Sequence, residues 1–337
     1  MKALRYNESM EIYRQSDLRD GDEIRLRRDG NMTTYTLLNG SGEGTVEAHE
    51  LFCGAQLLFD DMHMDTFGEG GARVSAFVVE HCRSGRFEGT FCDGRQFFLG
   101  AGDVCVHNVV DRNAFASCFP TRHYHGATVM LNLPEGDFAE FLRISGIDLA
   151  ALAQKFLSKD ISCVIRGDAG AGRIFADIYA AREKRDIGYF RLKLAELLHF
   201  LQRYAPNAGI RRTQTLPADI VRAMKDAEEY LWRHLSAPLT IDGLSEKFGF
   251  SPTSFKHYFK MIYGFPVHEY LFTCRMQIAQ HELVKTNKKI SAIAREAGYK
   301  NVSKFSEAFK RFSGISPRAY RGNHVLSEWS IFMPARD

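Results

Sequence analysis

LSEKFGFSPTSFKHYFKMIYGFPVHEYL, residues 244–271, and IAREAGYKNVSKFSEAFKRFSGISPRAYR, residues 293–321, are two copies of one pattern. Superposed, Gly249 falls on Gly298, Phe250 on Tyr299, Phe255 on Phe305, Phe259 on Phe309, Lys260 on Lys310, Gly264 on Gly314 and Tyr270 on Tyr320. The offset grows from 49 to 50 because the second copy carries one extra residue in its turn. Self-similarity at a fixed period means that one supersecondary unit has been used twice.

The unit reads as helix, tight turn, helix. In the first copy Thr240 is placed to cap a short helix whose Ile241, Leu244 and Phe248 face inward, and Gly249 supplies the left-handed residue that ends it. Ser251 caps the next helix, Pro252 takes its first position, and Phe255 and Phe259 anchor it. In the second copy Asn301 is the cap and Phe305 and Phe309 are the anchors. This is a helix-turn-helix, and the anchors decide what faces outward. Thr253, Lys256 and His257 project from the early turns of the first second helix; Ser303, Lys304, Ser306 and Glu307 project from the other. Those turns are what a recognition helix presents to base edges. Lys260, Lys310 and Arg311 come later and suit phosphates, which position a protein on DNA without specifying sequence. Between the copies, Val267–Lys285 reads as one helix of about 28 Å, with Leu271, Cys274, Ile278 and Leu283 on apolar sides. That length approaches the ~34 Å repeat of the duplex, so both units reach successive major grooves, with modest bending of the DNA.

Ahead of the first copy, Asp219–Leu235 reads as a helix with Ile220, Met224, Ala227 and Leu231 on one face. Charge divides the same way. Residues 219–321 carry 17 Lys and Arg against 10 Asp and Glu, a net of +7, which leaves −4 for the rest of a chain whose total is +3. A basic module joined to a mildly acidic one fits a nucleic-acid binder with a second task in its other half.

At 337 residues the chain predicts two domains. Residues 1 to about 133 are β-rich, with strands expected in 72–82, 86–92, 95–100, 103–110 and 125–133. Turns are expected at Ser84-Gly85, Asp93-Gly94 and Gly100–Asp103. This spacing predicts a small antiparallel barrel or sandwich. Helices follow at Glu135–Ser145, Leu149–Leu157, Ala169–Lys184 and Tyr189–Tyr204. The leucines 192, 194, 197, 198 and 201 of the last form a stripe that suits either packing against the barrel or a homodimer contact. APNAGIRRTQTLP, 205–217, is the linker candidate. The expected organisation is therefore 1–205 as a sensing and dimerisation domain, 206–218 as linker, 219–321 as the duplicated domain and 322–337 as a tail.

The segment 219–321 resembles the DNA-binding domain of the AraC/XylS family of bacterial transcription regulators. KKISAIAREAGYKNVSKFSEAFKRFSGISPRAYR, 288–321, is its most specific part. In the first copy, Pro266 stands one position ahead of where Pro317 would place it. The resemblance implies a seven-helix domain, double-stranded promoter DNA as partner, and activation through RNA polymerase. It carries the family's base-contacting positions onto Thr253, Lys256, His257, Ser303, Lys304, Ser306 and Glu307. GTFCDGRQFFLGAGDVCVHN, 89–108, is similar to the cupin-like effector domain of many members. The expectation is thus an α+β chain, with an N-terminal β-rich cupin-like barrel and flanking helices, and a C-terminal all-α domain with two helix-turn-helix motifs. The small-molecule effector is left open among sugars, lipids, siderophores, aromatic acids and none. Glu307 can accept from cytosine N4 but repels phosphate, so the two copies should read different half-sites of an asymmetric operator.

Other chemistries find little support. The chain has no Walker A, GxSxG, HExxH or dinucleotide fingerprint, so no catalytic residues and no cofactor are expected. Cys105-x-His107 and His123-x-His125 each place two ligands on one strand face, but no clustered carboxylate is evident beside them, and no metal is expected. Asp60–Asp65 reads as a polar loop. The seven cysteines are scattered, contain no CxxC pair and read as reduced and structural. No apolar run spans a bilayer, and MKALRYNESMEIYRQSD lacks the apolar core of a signal peptide, so a cytoplasmic protein without membrane contact is expected. A cupin-type metal-dependent enzyme and a DNA-binding protein without transcriptional output are the alternatives.

Overall fold

A computed structural model describes residues 18, 20–67, 76–90, 96–109, 117–157, 163–205 and 216–323. The expected Asp93-Gly94 turn, Cys92, the linker core 206–215, the tail beyond 323 and the opening 17 residues lie outside the described residues. The chain divides into two compact units, 1–216 and 217–337.

In the first unit the strands are β1 (Glu23–Asp29), β2 (Met32–Asn39), β3 (Gly42–Phe52), β4 (Ala55–His63), β5 (Thr66–Phe67), β6 (Ala76–Thr90), β7 (Gln96–Gly100), β8 (Val104–Val109), β9 (Ser117–Cys118), β10 (Tyr124–Leu131) and β11 (Cys163–Ile165). They pair antiparallel in the order β1-β2-β3-β4-β10-β6-β8-β11, while β5, β7 and β9 join through the far half of β6. The expected closed barrel is not formed among the described residues, because β1 pairs only with β2 and β11 only with β8, leaving the sheet open.

Period-two alternation decides the two faces of this sheet. Leu57 and Phe59 of β4, Phe77 and Val79 of β6, and Ala127 and Val129 of β10 point to one side, where helices cover them. Leu58 and Met62, Val78 and Cys82, and Tyr124 and Met130 point to the other, where the second sheet folds over. Each fully buried Leu, Val, Phe or Met among them contributes roughly 1.5–3 kcal/mol of burial. The covering helices are α1 (Gly136–Ile144), α2 (Leu149–Leu157), α3 (Ala169–Ala181, continued by a 3-10 turn at Arg182–Lys184) and α4 (Ile187–Arg203). Asp168 caps α3 by accepting from Gly170 N and Ala171 N, and Asp186 caps α4 through Tyr189 N.

Two sequence expectations are corrected here, and the leucine stripe takes the first of its two expected roles. Ser84-Gly85 does not reverse the chain: β6 runs through it as one 15-residue strand, and a register shift opposite His125/Gly126 marks where it bends from the first sheet into the second. Asp60 and Asp61 are not in a loop but in β4, where Thr128 Oγ1 of the neighbouring strand donates to Asp60 Oδ2 at 2.9 Å. The leucine stripe of α4 goes into the unit's own core, with Leu194, Leu197, Leu198 and Leu201 buried and Leu192 off the stripe and exposed.

The second unit has seven helices among its described residues: α5 (Ala218–Arg233), α6 (Ile241–Lys247), α7 (Pro252–Tyr263), α8 (Val267–Lys285), α9 (Ile290–Glu296), α10 (Val302–Ser313) and α11 (Pro317–Asn323). No helix of the described chain is long and apolar enough to cross a membrane. In α5 it is Val221, not Ile220, that leads the buried row with Met224, Ala227 and Leu231. In α8 Ile278 is only half-buried, while Met276 and Ala279 are fully buried beside Leu271, Cys274 and Leu283. The reason is that α8 has no single inner face. It packs against α7, α9, α10 and α11, so apolar residues are needed around most of its circumference.

Two expected outcomes follow from this packing. Gly249 (φ +75°) and Gly298 (φ +81°) both hold the left-handed conformation, but a Cβ on Gly249 meets open space whereas one on Gly298 meets Leu235 O, Ser236 Cα and the Arg275 guanidinium at 3.3 Å. Gly249→Ala should therefore cost about 1 kcal/mol, and Gly298→Ala distinctly more; equal chemical-denaturation midpoints for the two variants would contradict this. His81 stacks on Phe175 and hydrogen-bonds Tyr179 through Nδ1 at 3.0 Å, and burial, aided by Arg83, pulls its pKa down to about 4. A histidine held neutral in this way gives stability that is complete above pH about 6.5 and declines as the pH falls toward 4. His81→Gln should thus lose less stability between pH 7 and 4.5 than the parent. Asp60, pushed up to about 7 by burial and by Glu80, acts in the opposite sense but is common to both proteins and cancels.

Candidate nucleic-acid interface

The two helix-turn-helix units share their turn and their capped second helix, while a side-chain cap on the first helix belongs to copy one alone. Thr240 Oγ1 accepts from Gly243 N, and Ser251 Oγ accepts from Ser254 N at 3.1 Å. In the second unit Asn301 Oδ1 accepts from both Ser303 N (2.8 Å) and Lys304 N (3.1 Å). The turns close identically: Phe250 N donates to Ser245 O at 2.8 Å, and Tyr299 N to Ala294 O at 2.9 Å. The extra residue of the second copy is taken up between this closure and the cap, so α7 and α10 both have twelve residues and end at Gly264 and Gly314.

The aromatic anchors repeat as well. Phe255 and Phe259 lie 6.0 Å apart and Phe305 and Phe309 5.8 Å apart, all four fully buried. Tyr270 meets Phe259 edge-on at 5.4 Å, and Tyr320 meets Phe309 edge-on at 5.3 Å. Copy one adds a polar lock, in which Tyr270 Oη donates to Glu228 Oε1 at 2.6 Å and accepts from Trp232 Nε1 at 3.3 Å. The shifted Pro266 does not disturb the register. It stands as the cap of α8 while Pro317 is the first residue of α11, so both following helices begin fifty residues apart, as the repeat requires.

With these anchors inside, Thr253, Lys256, His257 and Lys260 are exposed on α7, and Ser303, Lys304, Glu307, Lys310 and Arg311 on α10. Among the described residues the side chains of Thr253, Lys256, Lys304 and Glu307 make no hydrogen bond or ion pair with the protein, and His257 only touches the Tyr258 ring. They are available to a ligand. Two candidates are partly committed. Ser306 is half-buried and donates its hydroxyl to Val302 O at 2.9 Å, which leaves it only lone pairs to offer. Arg311 lies over the Phe272 ring at 5.0 Å, so it serves packing as well as charge. Val302, the counterpart of Pro252, is 41% exposed at the leading end of α10 and was not singled out by sequence reasoning. The signal was there, since it directly follows the Asn301 cap.

The other candidates lie in the first unit. Cys105 and His107 point to the covered face of the sheet, where Cys105 is fully buried and His107 Nε2 stands 3.6 Å from Glu80 Oε2. Tyr124 Oη donates to the same Glu80 at 2.8 Å. His123 and His125 belong to the opposite face, so the structure separates the two motifs.

Comparison with known proteins bears on the second unit. A family model described as a helix-turn-helix domain matches residues 244–323. The chain is 29% identical over 133 residues to the uncharacterized HTH-type transcriptional regulator SACOL0084 of Staphylococcus aureus (strain COL), covering 40% of this chain and 17% of that protein. It is 29% identical over 92 residues to the uncharacterized HTH-type transcriptional regulator YobQ of Bacillus subtilis (strain 168), covering 27% and 38%. The match therefore spans well under half the length of these relatives. Among solved structures, the C-terminal domain of AraT, a response regulator from Geobacillus stearothermophilus, is 31% identical, with 34% of this chain and 93% of that one covered and a TM-score of 0.30. Two capped, phenylalanine-anchored helix-turn-helix units on one central helix, with the family match across them, make this chain a member of the AraC family of transcription regulators.

Proposed function

We propose that the chain is a sequence-specific, DNA-binding regulator of transcription that grips promoter DNA with α7 and α10 in successive major grooves. The observation that carries this reading is the pair of equally built recognition helices joined through α8, each presenting uncommitted polar side chains from its leading turns. The 19 residues of α8 give a spacer of about 28 Å, close to one helical repeat of the duplex. Thr253, Lys256 and His257 read one half-site, and Ser303, Lys304, Ser306 and Glu307 the other. Val302 offers an apolar surface suited to a thymine methyl. Lys260, Lys310 and Arg311 hold phosphates. One chain carries both halves, so the operator is asymmetric and a second copy is not needed for two-groove contact.

In this reading the first unit is the control element, and the regulator is an activator that contacts RNA polymerase when its effector is bound. A groove of about 550 Å³ between the end of β10 and helices α1 and α2 supports effector binding; Phe77, Leu131, Leu142, Ile147 and Leu149 line it, with Arg143 at its rim. That volume is typical of small-molecule sites, and its lining suits a ligand with an apolar body. The named relatives are transcriptional regulators.

Mobility-shift titration on the operator and on unrelated DNA tests the reading residue by residue. Lys256→Ala and Lys304→Ala should each cost about 1–3 kcal/mol on the operator and much less on unrelated DNA. Lys310→Ala should weaken binding on every sequence and flatten the dependence of log K on log salt by about one unit. Uniform loss from the first pair, or an unchanged salt slope from Lys310→Ala, contradicts the roles assigned. For the control element, a metabolite that raises the melting temperature of the full chain should no longer do so in Ala139→Trp, which fills the groove. An undiminished shift in that variant removes the groove from consideration.

A further inference from the structure

Four side chains meet at the end of β4 and β10, on the outer face of the first unit's sheet. The register pairs His125 with Asp61 and Tyr124 with Met62, which brings His123 opposite His63. Met62 and Tyr124 belong to the inner core, so strand alternation turns Asp61, His63, His123 and His125 outward together. Farther along the same strands this outer face is covered by helices, over Phe59 and Ala127. Among the described residues no helix covers the four polar side chains, and those of His63 and His125 are 46% and 35% exposed. The interior group of Cys105, His107 and Glu80 lies on the other face and takes no part.

The geometry is convergent. The imidazole centroids are 5.4 Å (His63–His123), 5.4 Å (His63–His125) and 4.5 Å (His123–His125) apart. One ligand nitrogen from each histidine lies within 4.8 Å of the other two. Asp61 Oδ1 sits 2.9 Å from His63 Nε2 and 2.8 Å from His125 Nε2. Yet Asp61 Oδ1 and His125 Nε2 are sealed from solvent and neither has a hydrogen bond of acceptable alignment. Atoms this close and this buried, without an aligned hydrogen bond between them, are suited to sharing a cation. Ser84 Oγ lies 3.1 Å from His123 Nε2 and so holds the far side of that ring, leaving Nδ1 to the cluster. An outer-shell partner of this kind fixes the tautomer and orientation of a ligating histidine.

We propose that His63, His123 and His125, with Asp61 as the fourth ligand, form a binding site for one divalent transition-metal ion of the zinc class. Three imidazoles and one carboxylate are a borderline donor set, suited to zinc, cobalt or nickel and unsuited to magnesium or calcium, which require oxygen. A tetrahedral ion with bonds of about 2.0–2.1 Å needs its ligand atoms about 3.3 Å apart. Rotation of the exposed His63 ring and of His125 off the carboxylate closes that gap without moving the strands. The nearby cations are already neutralised, since Arg122 pairs with Asp65 and Arg182 with Glu47, so the carboxylate of Asp61 is left to the histidines. The bound ion would clip the end of β4 to β10.

The test uses the full chain, stripped with a chelator and titrated with cobalt(II) as a visible probe. One cobalt per chain is expected, with the intense visible absorption of a four- or five-coordinate ion, displaced stoichiometrically by zinc. His123→Ala and His125→Ala should each weaken binding at least tenfold, and Asp61→Asn by about tenfold or more. Cys105→Ser and His107→Gln should leave it unchanged. X-ray absorption of the zinc-loaded parent gives a readout that needs no variant, with the expected shell of three imidazoles and an oxygen. Absence of stoichiometric binding, a weak six-coordinate spectrum, sulfur in the zinc shell, or a band that survives the combined His63→Ala, His123→Ala and His125→Ala changes overturns the proposal. Circular dichroism and operator binding of the same variants show that they are folded.

Discussion

The second unit depends on the burial of α8 from several sides at once. A surface helix needs one apolar stripe, but α8 must satisfy α7 toward its beginning and α9, α10 and α11 farther along. Its sequence accordingly carries buried residues at Val267, Tyr270, Leu271, Cys274, Met276, Ala279 and Leu283, which do not fall on one side. The cost of this demand is that α8 has little freedom to slide or rotate relative to either copy. Its benefit is that two small helix pairs, each too slight to enclose a core alone, share one. The separation of the recognition helices then becomes a property of a continuous helix and not of a flexible tether.

The second unit was legible in the sequence because its determinants are local. Caps at Thr240, Ser251 and Asn301, left-handed glycines at 249 and 298, and phenylalanines four residues apart all act within one or two turns of chain. Periodicity named the right helices but missed the buried face by one or two residues, as at Ile220 against Val221 and Ile278 against Met276 and Ala279. In α8 the several packing partners widened the buried arc.

The first unit was legible only as a list of strands. Whether a sheet closes depends on which edges meet, and nothing in the runs of β-branched residues says that β1 and β11 remain apart. Ser84-Gly85 carried a sound turn signal, yet the pairing of β6 with both β10 and β7 made it a bend within a strand. The missing carboxylate beside His123 and His125 is the sharpest instance. Asp61 stands more than sixty positions upstream, and only the antiparallel register of β4 with β10 brings it opposite His125.

The crowding around Gly298 joins the halves of the second unit in a further way. Arg275 donates from Nε to Leu235 O at 2.7 Å and from a terminal nitrogen to Ala237 O at 3.2 Å, and the turn of copy two rests on that same stretch. The segment from Leu235 to Ala237 leads directly into copy one. The two readers are therefore mechanically in series: a force on the turn before α10 passes through Gly298 into the chain that enters α6. No such seat exists at Gly249, whose surroundings are open. The turn of copy two is thus braced against the chain that enters copy one, whereas in copy one a Cβ at the same position of the turn has no neighbour within 4 Å.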